Sequence, residues 1–342
     1  MTHDLTFSSS RCARAPPDSL ESHARMSFFR RTFPALATLV AAGCAELKMA
    51  PVIEYPVTVQ RVILVSLDGV RADALQHLPT VVGLTQRGVW TDAMHTVVPA
   101  LTLPAHLSML TGRDVTEYGI TVNTMDVGVA AVMRINGMTP MFAWAREANV
   151  RSAAVAGMSL IPPAQRAEAQ SFFAVDTLVA TDGDAPLLAG AAISLLRSDA
   201  SVGMMFVHFP DADFAGHTYG WIGGDGAHTA AYRAALARMD SALATFWTEI
   251  APSVEAGQTA VIITADHGGG HGEGCTSGEA ATHTHCTAHP GDRLVPFVLV
   301  AKNVAPAKLT GELAITQVAP TIGALLGLPI PERAAAPVDL SP

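Results

Sequence analysis

The sequence predicts an α/β fold, a three-layer α/β/α sandwich in which helices cover both faces of a mainly parallel central sheet. Three observations predict it. Short apolar runs alternate with stretches of helical spacing along the chain. Apolar residues make up 49% of the 342 residues and charged residues only 15%, which indicates a deep core. Polar side chains follow directly after several apolar runs, at the sheet edge where such folds bind ligands.

The first 44 residues are not expected to belong to this fold. Residues 1–25 are rich in Ser, Arg and Pro and have no periodicity, so we interpret them as a non-structural upstream extension. Residues 26–44 have the order of a secretory signal: two arginines, a short apolar stretch, then small residues and Cys44. We expect export to the periplasm, either as a cleaved protein or as a membrane-anchored lipoprotein attached through a lipidated Cys44.

Apolar runs and helical spacing place the elements of the remaining chain. The run Arg61–Leu67 is β-branched and ends in Asp68-Gly69, which suits a buried parallel strand. No repeat or low-complexity linker interrupts residues 45–342, so we expect a single domain there. Further strands are predicted over 152–156, 202–209, 259–264 and 295–300, and helices over 70–87, 141–148, 186–197, 228–249 and 315–326.

Carboxylate side chains follow three of the predicted strands. Asp68 ends the first strand, Asp213 follows 202–209, and Asp266 follows 259–264. Because open α/β sheets bind ligands outside the carboxyl ends of their strands, we expect these side chains to share one rim.

Histidines accompany two of these carboxylates. His267 directly follows Asp266 and precedes a run of glycines; alone, this pattern would fit a capped turn equally well. His217 lies four residues after Asp213, a spacing that lets both side chains reach one ion from a single loop turn. Together the two clusters favour bound divalent cations. Asp211 is a competing ligand or a helix cap.

A threonine precedes the predicted start of another helix. In LTLPAHLSMLTG, Thr102 stands just before Leu103-Pro104, where it would cap the helix. The same position would aim backbone N–H groups at a phosphate and suit a nucleophile. An isolated threonine hydroxyl is a poor nucleophile, so this role requires a metal.

The order of these motifs resembles the alkaline phosphatase superfamily. LDGVRAD, TLPAHLSMLTG, YGITVN, DADFAGH and TADHGGGHG follow one another, and a late histidine precedes Val295-Pro296-Phe297. Within the superfamily the chain most resembles the nucleotide pyrophosphatase/phosphodiesterase branch, over nearly all of residues 60–330. The resemblance implies an alkaline phosphatase-like catalytic domain that hydrolyses phosphate esters with two Zn²⁺ per chain.

The resemblance also implies roles for individual residues. One zinc would be held by Asp68, Asp266 and His267, with Thr102 bound to it as the nucleophile that forms a threonyl-phosphoryl intermediate. Asn123, in YGITVN, would donate to a non-bridging phosphoryl oxygen; a turn residue is the alternative. The second zinc would be held by Asp213, His217 and a later histidine. For that ligand we favour His289, which lies just before the strand near Val295, with His283 and His285 as rivals. His106 and His271 are expected to support the site without coordinating.

Several functions can be separated at this stage. Arylsulfatases need a cysteine or serine where this chain has Thr102. Related monoesterases carry a lysine and an arginine in mid-chain, whereas Arg166 is the one basic residue of that kind in 153–180 and no lysine occurs there. A phosphate dianion would be poorly held, so a small phosphate diester or nucleotide-like substrate is favoured. A phosphomonoesterase is the runner-up. The alternative outside the enzymes is a non-catalytic, zinc-stabilised lipoprotein that binds an anionic partner. The net charge of −9 without a basic run argues against a nucleic-acid polymer.

Two cysteines remain within the predicted domain. Cys275 and Cys286 would either form a disulfide across a short loop, in an oxidising compartment, or remain free thiols. The sequence gives no indication of oligomeric state.

Overall fold

The structure is a computed structural model that describes residues 55–157, 160–161, 166–275 and 280–340. The predicted upstream extension (1–25) and signal (26–44) lie outside the described residues. Within the described ranges, no helix is both long and apolar enough to cross a membrane.

One mixed sheet organises the described part of the chain. Its strands lie in the order β4-β3-β5-β1-β6-β7-β2-β8, and β9 also pairs with β2. Neighbours from β4 to β6 are parallel, whereas β7 is antiparallel to both β6 and β2. The described strands are β1 (Arg61–Leu67), β2 (Val89–His95), β3 (Arg151–Gly157), β4 (Thr177–Thr181), β5 (Val202–Phe209), β6 (Thr259–Thr264), β7 (Leu294–Val300), β8 (Ala307–Lys308) and β9 (Leu313–Ala314).

Helices cover both faces of this sheet, which confirms the predicted three-layer α/β/α architecture. α1, α6 and α8 pack together on one side, while α2, α4 and α10 pack together on the other. The described helices are α1 (Pro79–Thr85), α2 (Thr102–Thr111), α3 (Val127–Ile135), α4 (Met141–Glu147), α5 (Arg166–Phe173), α6 (Ala185–Ser198), α7 (Asp211–Tyr219), α8 (Ala230–Glu255), α9 (Pro290–Arg293) and α10 (Val318–Leu325).

The central strands follow from their composition. β5 and β6 are buried along their whole length, and β1 is buried after its first residue. Strands covered on both faces become continuous apolar runs, which is why these three strands have the bounds that the sequence predicts. β1 lies between β5 and β6, so the residues that follow the three strands reach the same edge of the sheet.

Several segments differ from the prediction. Residues 315–326 are a 3-10 helix over Ile315–Gln317 followed by α10, and Thr102 is the first residue of α2 and not its cap. Residues 70–87 are not one helix: a short 3-10 helix spans Ala72–His77, Leu78 follows it, and α1 begins at Pro79. Proline lacks an N–H and clashes within a helix, but it fits the first turn. The segment with Asp213 and His217 is the helix α7 and not a loop turn.

The first and last described segments lie side by side. The hydroxyl of Tyr55 donates to the backbone carbonyl of Val338 at 2.5 Å. The amide of Val59 donates to the carbonyl of Leu325, at the end of α10. Residues far apart along the chain are thus joined by backbone and side-chain contacts.

Candidate metal centre

A first cluster of ligand atoms forms where β1 and β6 end. Asp68 follows β1, while Asp266 and His267 follow β6; all three side chains are buried. Nε2 of His267 lies 3.5 Å from Oδ1 of Asp68 and 3.2 Å from Oδ2 of Asp266. The Thr102 hydroxyl oxygen, on the first residue of α2, lies 3.0 Å from the same nitrogen. Four side chains therefore point at one position.

A second cluster forms where β5 ends. Asp213 and His217 lie one turn apart on α7, with Nε2 of His217 3.4 Å from Oδ1 of Asp213. Nε2 of His285 lies 3.2 Å from Nε2 of His217 and 3.6 Å from the same Asp213 oxygen. These three atoms surround a second position.

The two clusters are neighbours. The rings of His267 and His285 stack with centroids 3.7 Å apart and planes inclined by 16°. Asp213, His267 and His285 also offer ligand atoms within 4.8 Å of one another. A cation in each cluster would therefore lie next to this stacked pair of imidazole rings.

Three buried oxygen atoms identify what the clusters lack. Oδ1 of Asp68, Oδ1 of Asp213 and Oδ2 of Asp266 have no hydrogen-bond partner in the described part of the chain. A buried carboxylate oxygen without a partner is costly, and these three all face the cluster centres. Carboxylate and imidazole donors in sets of three, with room for a further ligand, suit zinc. The residues present therefore fit a pair of divalent cations.

Hydrogen bonds behind the ligands fix their orientation. Nδ1–H of His217 donates to the carbonyl of His283 at 2.8 Å, and Nδ1–H of His285 donates to that of Ala100 at 2.6 Å. Nδ1–H of His267 donates to the carbonyl of Gly268 at 2.8 Å. In each ring this leaves Nε2 unprotonated and directed into the site, the form that binds metal.

Burial sets the protonation of the metal-free site. It raises the pKa of Asp68 well above its ordinary value, and the charges of Asp266 and Asp213 raise it further. Burial also raises the pKa of Asp213 to about 7. It lowers the pKa of His267 to about 3 and that of His285 well below its ordinary value. The rings of His267 and His285 are thus neutral near neutrality, while the carboxyl groups of Asp68 and Asp213 retain protons that a cation would displace.

The structure places Asn123 beside Thr102. Its Oδ1 accepts a hydrogen bond from the backbone amide of Leu103 at 3.0 Å, in the first turn of α2, and the side chain is exposed. Because the carbonyl oxygen of the side-chain amide is engaged, the NH₂ group is the part that is directed elsewhere. Thr102 is half-buried at the same helix end.

His289 does not lie in either cluster. The side chain is exposed, and its Nδ1 accepts from the amide of Gly291 at the start of α9. Its ring stacks on that of His271, with centroids 3.5 Å apart. This corrects the choice of His289: the structure brings its rival His285, and not His289, to Asp213 and His217. His283 lies beside the second cluster without entering it: its carbonyl accepts from Nδ1–H of His217, and its own Nδ1–H donates to the backbone carbonyl of His217 at 3.0 Å.

Several supporting residues differ from expectation or were missed. Nε2–H of His208, inside the apolar run of β5, donates to Oδ2 of Asp68 at 2.8 Å. The only signal for it was a histidine in a strand otherwise without polar side chains. Asp211 is no ligand: its Oδ2 accepts from the amide of Ala185 and its Oδ1 pairs with Arg238.

His106 supports the site, as expected. Its Nδ1 lies 2.8 Å from the carbonyl of Thr102 and 3.3 Å from Oδ2 of Asp266. Its Nε2 lies 3.0 Å from the hydroxyl of Ser66, in β1. The ring is buried and connects three of the segments that form the first cluster.

Two glycines allow the loops to approach. Gly69 has φ +73°, and a Cβ there would lie 2.7 Å from Cα of Asp213. A Cβ on Gly268 would collide with the carbonyl oxygen of Gly291. Only glycine allows both backbone contacts, so the glycines of the DG and DHG motifs bring the ligand-bearing loops together.

The histidine-rich loop is closed covalently. Cys275 and Cys286 form a disulfide, which resolves the alternative left by the sequence. Cys286 directly follows His285, so one end of the bridge is adjacent to a candidate ligand.

An open groove borders the second cluster. It has a volume of about 890 Å³ and runs between α7, α8 and the start of α6. Asp213 and His217 line it, together with the exposed side chains of Phe214 and Tyr219. The centre is therefore accessible from this side.

A family model for type I phosphodiesterases and nucleotide pyrophosphatases matches residues 62–297, which contain every candidate ligand. The chain belongs to this family. As a type I phosphodiesterase/nucleotide pyrophosphatase family member of the alkaline phosphatase superfamily, it is a phosphoric ester hydrolase. No curated protein sequence matches the chain.

Solved structures share the fold of this family member. Murine ectonucleotide pyrophosphatase/phosphodiesterase 5 is similar with a TM-score of 0.59 and 14% identity, over 79% of this chain and 96% of that one. A putative sulfatase from Bacteroides fragilis gives 0.62 and 14%, over 82% and 76%. A phosphonate monoester hydrolase of Agrobacterium radiobacter gives 0.53 and 16%, over 79% and 74%.

Proposed function

We propose that this family member is a zinc-dependent phosphodiesterase of the nucleotide pyrophosphatase type, with Thr102 as its nucleophile. The observation that carries the proposal is the convergence of three unpartnered buried carboxylate oxygens around the Thr102 hydroxyl and three imidazole nitrogens. A purely structural zinc site would need neither a hydroxyl nor an open side.

The residues divide into two ligand sets. Asp68, Asp266 and His267 would hold one Zn²⁺ next to Thr102, and Asp213, His217 and His285 would hold the other. Bound zinc would lower the pKa of the Thr102 hydroxyl and neutralise charge on the phosphoryl oxygens.

The chain itself positions the reacting groups. Thr102 would attack phosphorus, the bond to the leaving oxygen would break, and a threonyl-phosphoryl intermediate would form; water would then hydrolyse it. The Thr102 hydroxyl lies at the N-terminal end of α2, where backbone N–H groups favour a phosphate. The side-chain NH₂ of Asn123, held by the bond from Leu103, would donate to a non-bridging oxygen.

A diester is proposed over a monoester because two arginines that could pair with a phosphate dianion, Arg166 in mid-chain and Arg71 after β1, are bonded to other groups. Arg166 donates to the carbonyl of Ala180 in β4, and the buried Arg71 is bonded to Asp73 and the Gly269 carbonyl. A dianionic phosphate would gain little from either guanidinium. The groove beside Asp213 and His217 offers room for the second substituent of a diester. Murine ectonucleotide pyrophosphatase/phosphodiesterase 5 was solved in complex with AMP, and we propose a nucleotide-like or other small diester here.

Replacing the nucleophile tests the mechanism. Thr102→Ala is expected to lower turnover of an aryl phosphodiester by at least about 10³-fold, while Thr102→Ser, which keeps a hydroxyl, retains most of it. Chelation should abolish activity in the wild-type enzyme. Substantial turnover by Thr102→Ala would remove Thr102 as nucleophile, and a larger kcat/KM for an aryl monoester than for its diester would select the runner-up activity.

A pair of histidine variants tests the ligand assignment. His285→Ala is expected to lower bound zinc from about two ions per chain to about one, because it removes one of three ligands. His289→Ala should keep both ions, since its ring lies against His271. Metal analysis after dialysis decides between them, and the reverse pattern would return the role to His289.

We also propose export, either as a lipoprotein anchored through Cys44 or as a cleaved protein. The disulfide between Cys275 and Cys286 supports an oxidising compartment. Cell fractionation of the wild type and of Cys44→Ala tests the anchor: only a lipidated chain would move from membranes to the soluble fraction.

A further inference from the structure

We propose that Asp292 is a positioning residue that clamps the two histidine-bearing loops of the metal centre together. The inference rests on the proposed function, because it assigns Asp292 to the spacing of the two cation positions. Asp292 lies on α9, carries no metal-facing atom in either cluster, and is fully buried.

The carboxylate of Asp292 gathers donors from both sides of the disulfide-closed loop. Its Oδ2 accepts from the amide of Cys286 at 3.2 Å and from the amide and hydroxyl of Thr287 at 3.1 and 2.8 Å. Its Oδ1 accepts from the amide of His271 at 3.1 Å. The loop is therefore fastened at its start and at its end by one side chain.

The backbone of Asp292 holds the other ligand-bearing segment. Its carbonyl accepts from the amide of Gly268 at 2.8 Å, and the neighbouring Gly291 carbonyl accepts from Gly269. Gly268 directly follows His267, just as Cys286 directly follows His285. Asp292 is thus one residue removed from a candidate ligand of each cation.

The consequence is a fixed distance between two rings. His267 and His285 stack at 3.7 Å, and each ring belongs to a different ligand set. A shift of either backbone would move one Nε2 relative to the other and spoil one cation position. Groups hydrogen-bonded directly to metal ligands typically change metal affinity by about 10- to 100-fold when they are removed; Asp292 acts one residue further away, through Cys286 and Gly268.

The chemistry of the contacts explains why a carboxylate is needed. All four donors to the side chain are N–H or O–H groups, and a carboxylate can accept from all of them. An asparagine would turn its NH₂ group towards His271 N–H or towards the three donors from Cys286 and Thr287. Asp292→Asn therefore preserves the shape of the side chain but sets a donor against a donor.

Asp240 provides a matched control. It is buried and accepts from the amide and hydroxyl of Thr80 at 2.9 and 2.7 Å, at the start of α1 and away from the clusters. Asp240→Asn replaces the same kind of carboxylate with the same amide. It should lower thermal stability without changing zinc binding.

The experiment compares zinc affinity of both sites in wild type, Asp292→Asn and Asp240→Asn by competition with a chromophoric chelator. We expect Asp292→Asn to weaken the more weakly bound zinc by at least about 10-fold and Asp240→Asn to leave both affinities unchanged. Hydrogen exchange of the Cys286 and Thr287 amides should accelerate in Asp292→Asn only. Thr287→Val, which removes one donor, should weaken the same zinc by a smaller factor and serves if Asp292→Asn does not fold.

Two outcomes distinguish failure of the positioning role from failure of the proposed function. Two zincs of unchanged affinity in Asp292→Asn, or in Thr287→Val if that variant is used, would overturn the positioning role and leave the proposed function intact. A wild type that binds no zinc pair would overturn the proposed function, and the positioning role with it.

Discussion

The two carboxylate oxygens of Asp68 have different surroundings: one is bonded to a histidine of the core and the other faces the candidate cation site. Its Oδ2 accepts from Nε2–H of the buried His208, while its Oδ1 has no partner in the described chain and faces the first cluster. The bond from His208 limits rotation of the carboxyl group, so the free oxygen is directed before any metal arrives. Such pre-orientation reduces the ordering cost of binding.

The protonation of Asp213 predicts how zinc binding depends on pH. Burial raises its pKa to about 7, so in the metal-free protein the carboxyl group is protonated below that pH, and zinc must displace the proton. Apparent zinc affinity should therefore rise with pH through about 7, and the proton on Asp68, whose pKa burial also raises, adds to the rise. His267, with its pKa lowered to about 3, contributes no proton in this range.

Titration calorimetry with zinc measures this exchange. Proton release, obtained from buffers of different ionisation enthalpy, should be larger at about pH 6 than at about pH 8. The Asp213→Asn variant is the control, since it has no proton to lose at position 213 and should reduce the difference. Equal release by the wild type at both pH values would contradict a raised pKa of Asp213.

For single residues, the sequence was sufficient to place the carboxylates that follow the end of a strand. The side chains of Asp68, Asp213 and Asp266 lie together because β1, β5 and β6 are neighbours in a parallel sheet. His285 could not be chosen in the same way. It lies in a loop with His283 and His289, where no periodicity says which ring turns inward, and its position depends on the disulfide and on Asp292.

At the scale of the element, α7 replaces the predicted loop turn. Asp213 and His217 lie on one face because residues four apart are neighbours on a helix. A loop turn would satisfy the same spacing, so spacing alone did not distinguish the two. The helix also packs Gly216 against the ring of Trp221, whose indole N–H donates to the carbonyl of Gly69.

Gly216 should therefore not tolerate a methyl group. A Cβ there would overlap the indole ring of Trp221, so Gly216→Ala is expected to destabilise the protein by about 1–3 kcal/mol through overpacking. Gly190→Ala on α6 is the matched control: nothing lies within 4 Å of the new Cβ, and the substitution should stabilise by about 0.4–1 kcal/mol. Urea unfolding of both variants gives the comparison, and equal stability of the two would refute the packing argument.

The elements that the sequence missed depend on tertiary pairing. β2 carries the polar residues Thr91, Asp92 and His95 without strict alternation and has an irregularity between Thr91 and Met94; its partners are β7, β8 and β9. Apolar periodicity marks buried strands such as β6, but it does not mark a strand that is held by neighbours distant in sequence. The predicted helix over 70–87 failed for a local reason, the proline at position 79.

At the scale of the whole molecule, the candidate metal centre joins segments from residue 68 to residue 285. Several buried carboxyl groups meet there, and burial and mutual repulsion raise the pKa of Asp68. Without cations, the sheet edge holds these groups together at a cost to folding. Zinc, bound by the folded state only, would remove that cost.

Chelation should consequently destabilise the entire fold. The melting temperature is expected to fall on treatment with a chelator and to rise with free zinc, because a ligand of the native state stabilises by about 2.7 kcal/mol per site at 100 times its Kd. Differential scanning calorimetry over a zinc series measures it. In Asp213→Ala/Asp266→Ala, which removes a ligand from each site, the dependence should disappear; a wild-type melting temperature insensitive to zinc would contradict the coupling.

The contact between Tyr55 and Val338 bears on how the chain could be cut and rejoined. Since these two residues are hydrogen-bonded, a short peptide linker would connect them without displacing any strand of the sheet. A circular permutant opened at the exposed turn around Asp225 would keep the sheet order intact while changing the sequence in which its strands are synthesised. A permutant that folds would show that the architecture depends on which strands are neighbours in space and not on which of them comes first.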